Sequence, residues 1–450
     1  MRTKQGSFNF HPQCSSLGIT HLAYADDLML FSRGDTYSIR ILVDALKEFG
    51  DVSGLRVNHD KSNIFVGGVR DLELQNILDL VDYGQGTFPV RYLGIPLAPL
   101  KVSVAQYAPL IEVIQDFLNA WNTKTISYAG KIELIRSVIQ GVQSFWLQVF
   151  PVPQAILDRI VSICRIFLWG GKFAKVAWDD ICLPKAEGGL GIHNAKVWNH
   201  ALLSRLIWDV HNKKDTLWVK WVNGVYLKGR SVWDFVPHSR DSQLMKRLGL
   251  IRDKLKGCFN NLNDTILGLN SRAINGKLIS GKIYDLLRVK GVTRTTMNFI
   301  WKSYVPPKFS FNVWLALRNR LPTQDNLGYL YIVNRCDMCK GGLETIPHLF
   351  FQCLFAGRVW TQIRNWMGFG HQMTTLLSSI KWIMKEHKGS RLKAKAARLA
   401  FCATVYYVWR ARNACRFDGS MPKEEEIVVK IKHVVYKILY SLYPHDLIGF

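Results

Sequence analysis

The spacing of apolar residues near the start of the chain predicts a strand pair followed by an amphipathic helix. In residues 20–32, two short runs rich in Leu, Tyr and Phe flank Asp26 and Asp27. This arrangement predicts a β-hairpin with carboxylates at its tip. Apolar residues then recur every three or four positions, which predicts a helix that is capped by Thr36 and ends at Gly50.

The pattern changes from strands and turns to helices near residue 104. Before that point, residues 63–66 and 91–97 are expected to form further strands or turns. After it, helical spacing continues, and further helices are predicted to begin after Ser127 and at Pro153. Three helices in series indicate a small helical bundle.

The remaining part of the chain has mixed patterns. Residues 171–300 combine Trp-rich helical stretches with Gly-, Asn- and Ser-bearing loops, and their pattern assigns no fold. Helices are predicted at residues 309–318 and from about Phe355 onward. A last long helix is predicted at about 391–412.

Charge is distributed unevenly along the 450 residues, of which 48% are hydrophobic. The formal net charge is +25, and residues 1–100 hold 9 Lys and Arg against 11 Asp and Glu. Residues 101–450 hold 50 against 23. Such an excess favours a polyanionic partner, with nucleic acid as the leading class, and that partner should face the downstream part. Most of the 15 tryptophans, all in that part, are nevertheless expected to pack in cores.

Cysteine usage and hydropathy exclude two classes of protein. The 9 cysteines are an odd number spread over a large chain, which argues against a disulfide framework and favours a reducing compartment. The longest apolar stretches, such as residues 399–409, fall well short of the roughly 20 residues that span a bilayer. We therefore expect no transmembrane helix.

The adjacent carboxylates of Asp26 and Asp27 are candidate ligands for Mg²⁺. This ion takes carboxylate oxygens together with substrate phosphates, and phosphoryl transfer by two metals needs such a clamp. The alternative is that Asp-Asp is ordinary turn chemistry, which is the commoner meaning of the dipeptide alone.

A cluster of cysteines and one histidine has the spacing of a structural zinc site. Cys336-x₂-Cys339-x₈-His348-x₄-Cys353 supplies three thiolates and one imidazole within 18 residues, and these can close a tetrahedral Zn²⁺ site without an open position for catalysis. His348 and Cys353 would lie on different faces of an ideal helix, so a bend is expected between them. The alternative is a set of buried free thiols with a core histidine.

The surroundings of Asp26 and Asp27 resemble the reverse transcriptases of plant LINE-type, non-LTR retrotransposons. The resemblance rests on Tyr-Ala-Asp-Asp at 24–27, on GLRVNHDKS at 54–62 and on RYLGIPL at 91–97. It implies that Asp26 binds catalytic Mg²⁺ with Asp27 beside it, that Tyr24 lines the nucleotide or primer end, and that Lys61 contacts the incoming triphosphate. The helices of residues 104–169 would form the thumb, which grips a primer–template duplex.

The flanks of the Cys and His cluster resemble the zinc-binding domain downstream of the same reverse transcriptases. This second resemblance rests on VPPKFSFNVWL at 305–315, LPT at 321–323, ET at 344–345 and AGRVW at 356–360. WRARN at 409–413 fits the segment that commonly follows this domain, and FLWGG at 167–171 and GGLGI at 188–192 match the connecting region before it. These separate motifs occur in the order of the family.

The family's catalytic centre also needs a carboxylate from an earlier strand of the palm. Residues 1–25 contain no Asp or Glu. The resemblance therefore implies a truncated polymerase that is inactive alone, and Mg²⁺ is expected only if polymerase activity survives.

The predicted fold class is α+β, with five segments. These are an incomplete polymerase palm of hairpin and helix at 1–100, a helical thumb at 101–170, a mostly helical connector at 171–300, a small Cys₃His zinc-binding domain at 301–370 and a basic helical segment at 371–450.

The resemblance and the charge together imply RNA or an RNA–DNA duplex as the partner of the basic half, no membrane, and a location in the nucleus or cytoplasm. Arg391, Lys393, Lys395 and Arg398 are candidate phosphate contacts; a solvated helix face is an equally good interpretation of them. A competing hypothesis is a zinc-stabilised protein-interaction module without nucleic-acid function.

Overall fold

Helices dominate the structure, a computed structural model that describes residues 8–98, 102–171, 173–330, 334–389, 391–421 and 423–444. The strands form only small two-stranded sheets. This combination confirms the predicted α+β class. None of the described helices is both long and apolar enough to cross a membrane.

The strands pair in sequence order, and three of the four described pairs are antiparallel; the pair β3–β4 is parallel. Only two residues of the run predicted at 63–66 are in a strand, whereas 91–97 contributes to a hairpin. The strands are β1 His21–Tyr24, β2 Asp27–Leu30, β3 Asn63–Ile64, β4 Gly84–Gln85, β5 Val90–Tyr92, β6 Ile95–Leu97, β7 Ala273–Ile274 and β8 Lys277–Leu278.

The first helix, α1 (Thr36–Ser53), begins and ends one residue or more away from the predicted caps. Its cap is Asp35, whose Oδ1 accepts a hydrogen bond from the Ser38 amide at 2.8 Å. The Thr36 amide and hydroxyl instead donate to Glu73 at 2.9 and 2.7 Å. The helix continues through Gly50 and ends at Gly54, which adopts φ 74°. Thr36 and Gly50 were thus wrong as caps, because better-placed neighbours satisfy the terminal backbone groups.

Replacing Asp35 by Ala is expected to cost about 1 kcal/mol of stability, because the cap is lost from the first turn of α1. Chemical denaturation measures this cost. Asp44→Ala removes the same charge from an exposed position inside the helix and is the matched control. Equal unfolding midpoints for the two variants would contradict the capping role.

The helices predicted between residues 104 and 170 are confirmed. Ser127 caps the second of them by accepting from the Gly130 amide at 3.2 Å, and Gly170 at φ 73° follows the third. A π turn, Ile135–Ile139, joins α4 to α5. The helices in this half of the chain are α2 Asp71–Leu80, α3 Ala108–Asn122, α4 Tyr128–Leu134, α5 Gln140–Leu147 and α6 Gln154–Trp169.

The downstream part is also helical, including residues 171–300, where the pattern had assigned no fold. The helix predicted at about 391–412 runs to Phe417, and it is not the last, since α18 follows it. The helices are α7 Trp178–Cys182, α8 Ala195–His211, α9 Leu217–Val222, α10 Gln243–Lys256, α11 Leu262–Asn270, α12 Ser280–Leu287, α13 Thr295–Ile300, α14 Pro307–Leu317, α15 Leu354–Met367, α16 Leu376–Glu386, α17 Leu392–Phe417 and α18 Glu424–Tyr440.

The chain divides into two compact units, each made of separate stretches. The first unit comprises Met1–Ile111, Ser144–Ile156 and Ala195–Arg288, and the second comprises Glu112–Gln143, Leu157–Asn194 and Val289–Phe450. The main core of the first unit lies where α8 packs against α10 and α12. In the second unit, α17 is the central helix and packs against α14, α15 and α18. The division into five segments stays a prediction.

Aromatic side chains contribute to both cores. None of the 15 tryptophans is exposed, and Trp314 is fully buried in α14. Six of them are buried and the other nine are half-buried, so fewer lie fully inside a core than expected.

Candidate metal centre

The first two candidate zinc ligands lie in a tight turn ahead of α15. The Lys340 amide donates to the Cys336 carbonyl at 2.9 Å, and the Cys336 amide donates to the Gly342 carbonyl at 2.8 Å. The Gly341 amide points at the Cys339 sulfur, at 3.4 Å. A Cys-x₂-Cys turn of this kind brings both sulfurs to one side of the backbone, where a backbone N–H can donate to a metal-bound thiolate.

The other two ligands are separated by one turn of π helix, His348–Gln352. Its closing hydrogen bond runs from the Cys353 amide to the His348 carbonyl at 2.7 Å. An α turn would leave residues five apart on different faces, whereas this wider turn brings His348 and Cys353 to one side. The bend expected from the spacing is thus a π turn. Trp360 of α15 holds it, since its indole N–H donates to the Phe350 carbonyl at 2.7 Å.

The four ligand atoms converge. One ligand atom from each of Cys336, Cys339, His348 and Cys353 lies within 4.8 Å of all the others. The sulfurs of Cys336 and Cys353 are 3.9 Å apart, and Cys339 Sγ is 3.3 Å from His348 Nε2. Tetrahedral zinc with Zn–S bonds of about 2.3 Å and Zn–N bonds of about 2.0 Å needs S···S edges of about 3.8 Å and S···N edges of about 3.5 Å. The donors and their spacing therefore fit Zn²⁺.

The immediate surroundings of the cluster leave little room for rearrangement. Cys336 and Cys353 are 0% and 1% exposed. A Cβ atom at Gly342 would lie 2.8 Å from Cε1 of His348, so only glycine lets the imidazole lie against this turn. Four protein ligands leave no open coordination position, which is the pattern of a structural rather than a catalytic zinc.

Two of the thiols share a hydrogen bond. The Cys336 thiol donates a hydrogen bond to the Cys353 sulfur, which raises the pKa of Cys336 and lowers the pKa of Cys353. Zinc binds thiolates, so a bound ion takes the place of this shared proton. Zinc affinity is therefore expected to fall as the pH is lowered.

A buried ion pair connects the zinc turn, which comprises residues 336–344, to α17. Arg412 and Glu344 have side chains that are 1% and 0% exposed. The Arg412 Nε donates to both carboxylate oxygens at 3.1 Å, and its Nη2 donates to Oε1 at 2.5 Å. The backbone amide of Gln324 donates to the same Oε1 at 3.0 Å. The Arg412 guanidinium lies over the Trp409 ring. Such a pair is held in place by its complete set of hydrogen bonds.

A second, more exposed pair repeats this connection one helical turn further along α17. Arg416 Nη1 lies 3.2 Å from Asp337 Oδ2, next to the first cysteine ligand. The side chain of Gln324 donates to Asp337 Oδ2 at 3.1 Å and to the Arg335 carbonyl at 2.9 Å. Because Arg412 and Arg416 are four residues apart, they lie on one face of α17 and hold both ends of the zinc turn.

These connecting residues carry no local signal of their pairing in the sequence. Glu344 and Arg412 had been noted only as letters of two motifs, ET and WRARN, without a role. A Glu inside a zinc turn and an Arg in a helix rich in Ala were the only signals, and their pairing across 68 positions cannot be read from local spacing. The four candidate zinc ligands, in contrast, can be predicted because their pattern is local.

The carboxylate hairpin has the predicted form, and its side chains are exposed. Tyr24 and Asp27 are paired across the hairpin, Asp26 lies in the turn, and Ala25 before it adopts φ 51°. Tyr24 is 62% exposed. Lys61 is exposed and ends a 3₁₀ turn. Among the described residues, no third metal-ligating side chain groups with Asp26 and Asp27. Their roles in metal and nucleotide binding stay predictions.

The four basic candidates at the start of α17 have different surroundings. Arg391 and Lys393 are exposed. Lys395 Nζ lies 5.4 Å from the centre of the Tyr304 ring, and Arg398 donates to the Tyr304 hydroxyl and stacks over Phe299. Arg391 and Lys393 thus present their charge to solvent, whereas Arg398 is engaged inside the second unit. Phosphate binding by the four stays a prediction.

Comparisons with known proteins agree with both resemblances. The family of reverse transcriptases (RNA-dependent DNA polymerases) matches residues 4–97, and the family described as zinc-binding in reverse transcriptase matches residues 279–360. The first range contains Asp26 and Asp27, and the second contains all four candidate zinc ligands.

A curated Arabidopsis thaliana protein, which bears a provisional ribonuclease H name, is 22% identical over 61% of this chain and 59% of its own length. The chain thus spans about three fifths of that relative. The two family matches lie in their expected order along the chain: a match to reverse transcriptases comes first, and a match to the zinc-binding domain of reverse transcriptases follows it.

Proposed function

We propose that the chain is the palm, thumb and zinc-binding part of a plant LINE-type retrotransposon reverse transcriptase, and that it binds RNA or an RNA–DNA duplex through its basic part. The observation that carries this proposal is the Cys₃His centre and its connection to α17, whose first turns bear the exposed Arg391 and Lys393. Zinc stabilises the turn, and the turn fixes α17. The excess of 50 basic over 23 acidic residues in positions 101–450 supplies the attraction for phosphate. Such a protein would act in the nucleus or cytoplasm.

Binding to a 20-base-pair RNA–DNA duplex is expected to depend steeply on salt. Each phosphate contact contributes about −0.9 to the slope of log affinity against log salt, so three contacts give a slope of about −2.7 and about a 40-fold loss between 50 and 200 mM salt. Fluorescence anisotropy at four salt concentrations measures this slope.

Charge removal then tests the helix itself. In the double variant Arg391→Ala, Lys393→Ala, the magnitude of the salt slope should fall by about two. Lys437→Ala removes the charge of an exposed lysine of α18 and controls for the general loss of positive charge. Binding with a slope near zero would contradict the nucleic-acid proposal and favour the zinc-stabilised protein-interaction module.

We further propose that the chain alone does not extend a primer. Two-metal phosphoryl transfer needs carboxylates that clamp both ions, and residues 1–25 supply no acid upstream of the hairpin. Incubation with Mg²⁺, deoxynucleoside triphosphates and a primed RNA template is expected to give no extension product. Extension that is lost in Asp26→Ala would overturn this part of the proposal and assign Mg²⁺ to the hairpin.

A further inference from the structure

A small cavity in the second unit is separate from the zinc centre. Its volume is about 130 Å³. The walls come from α4 and the π turn after it, from the 3₁₀ turn Lys185–Glu187, and from α14 with the segment that precedes it. The polar and charged residues in these walls are Glu133, Arg136, Lys185, Lys302, Ser303 and Ser310.

Positive charge predominates at this cavity. Arg136, Lys185 and Lys302 face the single carboxylate of Glu133, which is already paired with Arg136 at 2.6 Å. Burial, followed by repulsion from Arg136, lowers the pKa of Lys185. Arg136 and Lys185 are thus two cations held close together beside the one carboxylate of Glu133, and an anion between them would stabilise both charges.

Size limits what the anion can be. Ligand pockets for whole small molecules usually measure about 300–1,000 Å³, so a cavity of about 130 Å³ is too small for a nucleotide. It has room for a group the size of a few water molecules, at about 30 Å³ each. A single phosphate group has this size, and its charge complements Lys185 and Lys302.

The cavity also has hydrogen-bond donors. Ser303 is exposed at its rim. The indole N–H of Trp301, which forms part of the wall, is buried and has no acceptor among the described residues. Lys185 Nζ lies 4.8 Å from the centre of the Trp301 ring, which keeps this lysine over the cavity wall.

We propose that this cavity, lined by Arg136, Lys185, Lys302 and Ser303, binds one phosphate of the nucleic-acid backbone. The inference rests on the proposed nucleic-acid binding and adds a contact point to it. Phosphate contacts fix the position of a protein along a strand without reading sequence. The cavity would therefore position the duplex and contribute affinity that is the same for every sequence.

The test compares duplex binding by Lys302→Ala, Lys185→Gln and the exposed control Lys430→Ala of α18. For two RNA–DNA duplexes of unrelated sequence, each cavity variant is expected to reduce the salt slope by about one. With this change, the affinity of the variant falls about fourfold less between 50 and 200 mM salt than the affinity of the unmodified chain does. Lys302 is exposed, so its variant should keep the fold, which circular dichroism verifies.

The outcomes separate this inference from the proposed function. If the unmodified chain binds neither duplex, nucleic-acid binding itself fails. If it binds but the slopes of both cavity variants equal that of Lys430→Ala, the cavity holds no phosphate and the inference is wrong. A loss confined to one of the two sequences would also overturn it, because a phosphate contact does not distinguish bases.

Discussion

Replacing Cys336 by Ser is expected to abolish stable zinc binding and to unfold the region around the zinc turn. Cys336 is fully buried and is one of the four candidate zinc ligands. In zinc-finger peptides the metal contributes roughly 10–16 kcal/mol of apparent binding free energy. This is comparable with the typical net stability of about 5–15 kcal/mol of a folded domain, so loss of the metal is expected to unfold the surrounding region.

Three measurements follow this loss: zinc content after dialysis against a chelator, thermal unfolding, and limited proteolysis within residues 334–367. Cys258→Ser is the matched control, because Cys258 is an exposed thiol outside the cluster. We expect the control to keep its zinc and its melting temperature. A Cys336→Ser variant that keeps one zinc and the melting temperature of the unmodified chain would show that the four residues are not a structural site.

Replacing Arg412 by Met is expected to lower the free energy of unfolding by about 3–5 kcal/mol. The substitution leaves the Glu344 carboxylate buried at 0% exposure without its counter-charge. Glu344→Gln is expected to cost a similar amount, although the amide oxygen can still accept from Gln324. In that variant the guanidinium becomes the unpaired buried charge. Equilibrium denaturation measures both costs.

The double variant Glu344→Leu, Arg412→Met distinguishes two causes of the lost stability, an unpaired buried charge and a packing defect. Removing both partners should cost less than the sum of the two single costs, because no charge is left without a partner. Arg416→Met is the control on the same helix face. Its pair with Asp337 is partly exposed, at 24% and 17%, so its loss should cost about 1 kcal/mol or less. Equal costs for Arg412→Met and Arg416→Met would contradict the special role of the buried pair.

Local patterns in the sequence were sufficient to predict the elements that depend on neighbours along the chain. The hairpin around Asp26, the helices after Ser127 and Pro153 and the four zinc ligands all have short-range signals, such as alternation, helical spacing and Cys-x₂-Cys. The caps of α1 were wrong because Asp35 competes with Thr36 for the same backbone donors, and Glu73, distant in sequence, binds Thr36 instead.

The remaining features depend on contacts between distant residues, which one sequence does not reveal. The pairing of Glu344 with Arg412 joins a loop to a helix 68 positions away. The fold of residues 171–300 depends on α8. Because α10 and α12 both pack on it, its apolar residues are distributed around the whole helix and form no amphipathic stripe that the sequence pattern could show. The π turn before Cys353 could be anticipated only as a bend, since spacing shows that an α turn fails but not what replaces it.

The most direct test of the zinc-stabilised architecture is the metal content and coordination of the purified chain. Elemental analysis with X-ray absorption at the zinc edge is predicted to find one zinc per chain, bound by three sulfurs at about 2.3 Å and one nitrogen at about 2.0 Å. A chain that folds without zinc, or a zinc shell dominated by oxygen, would contradict the account.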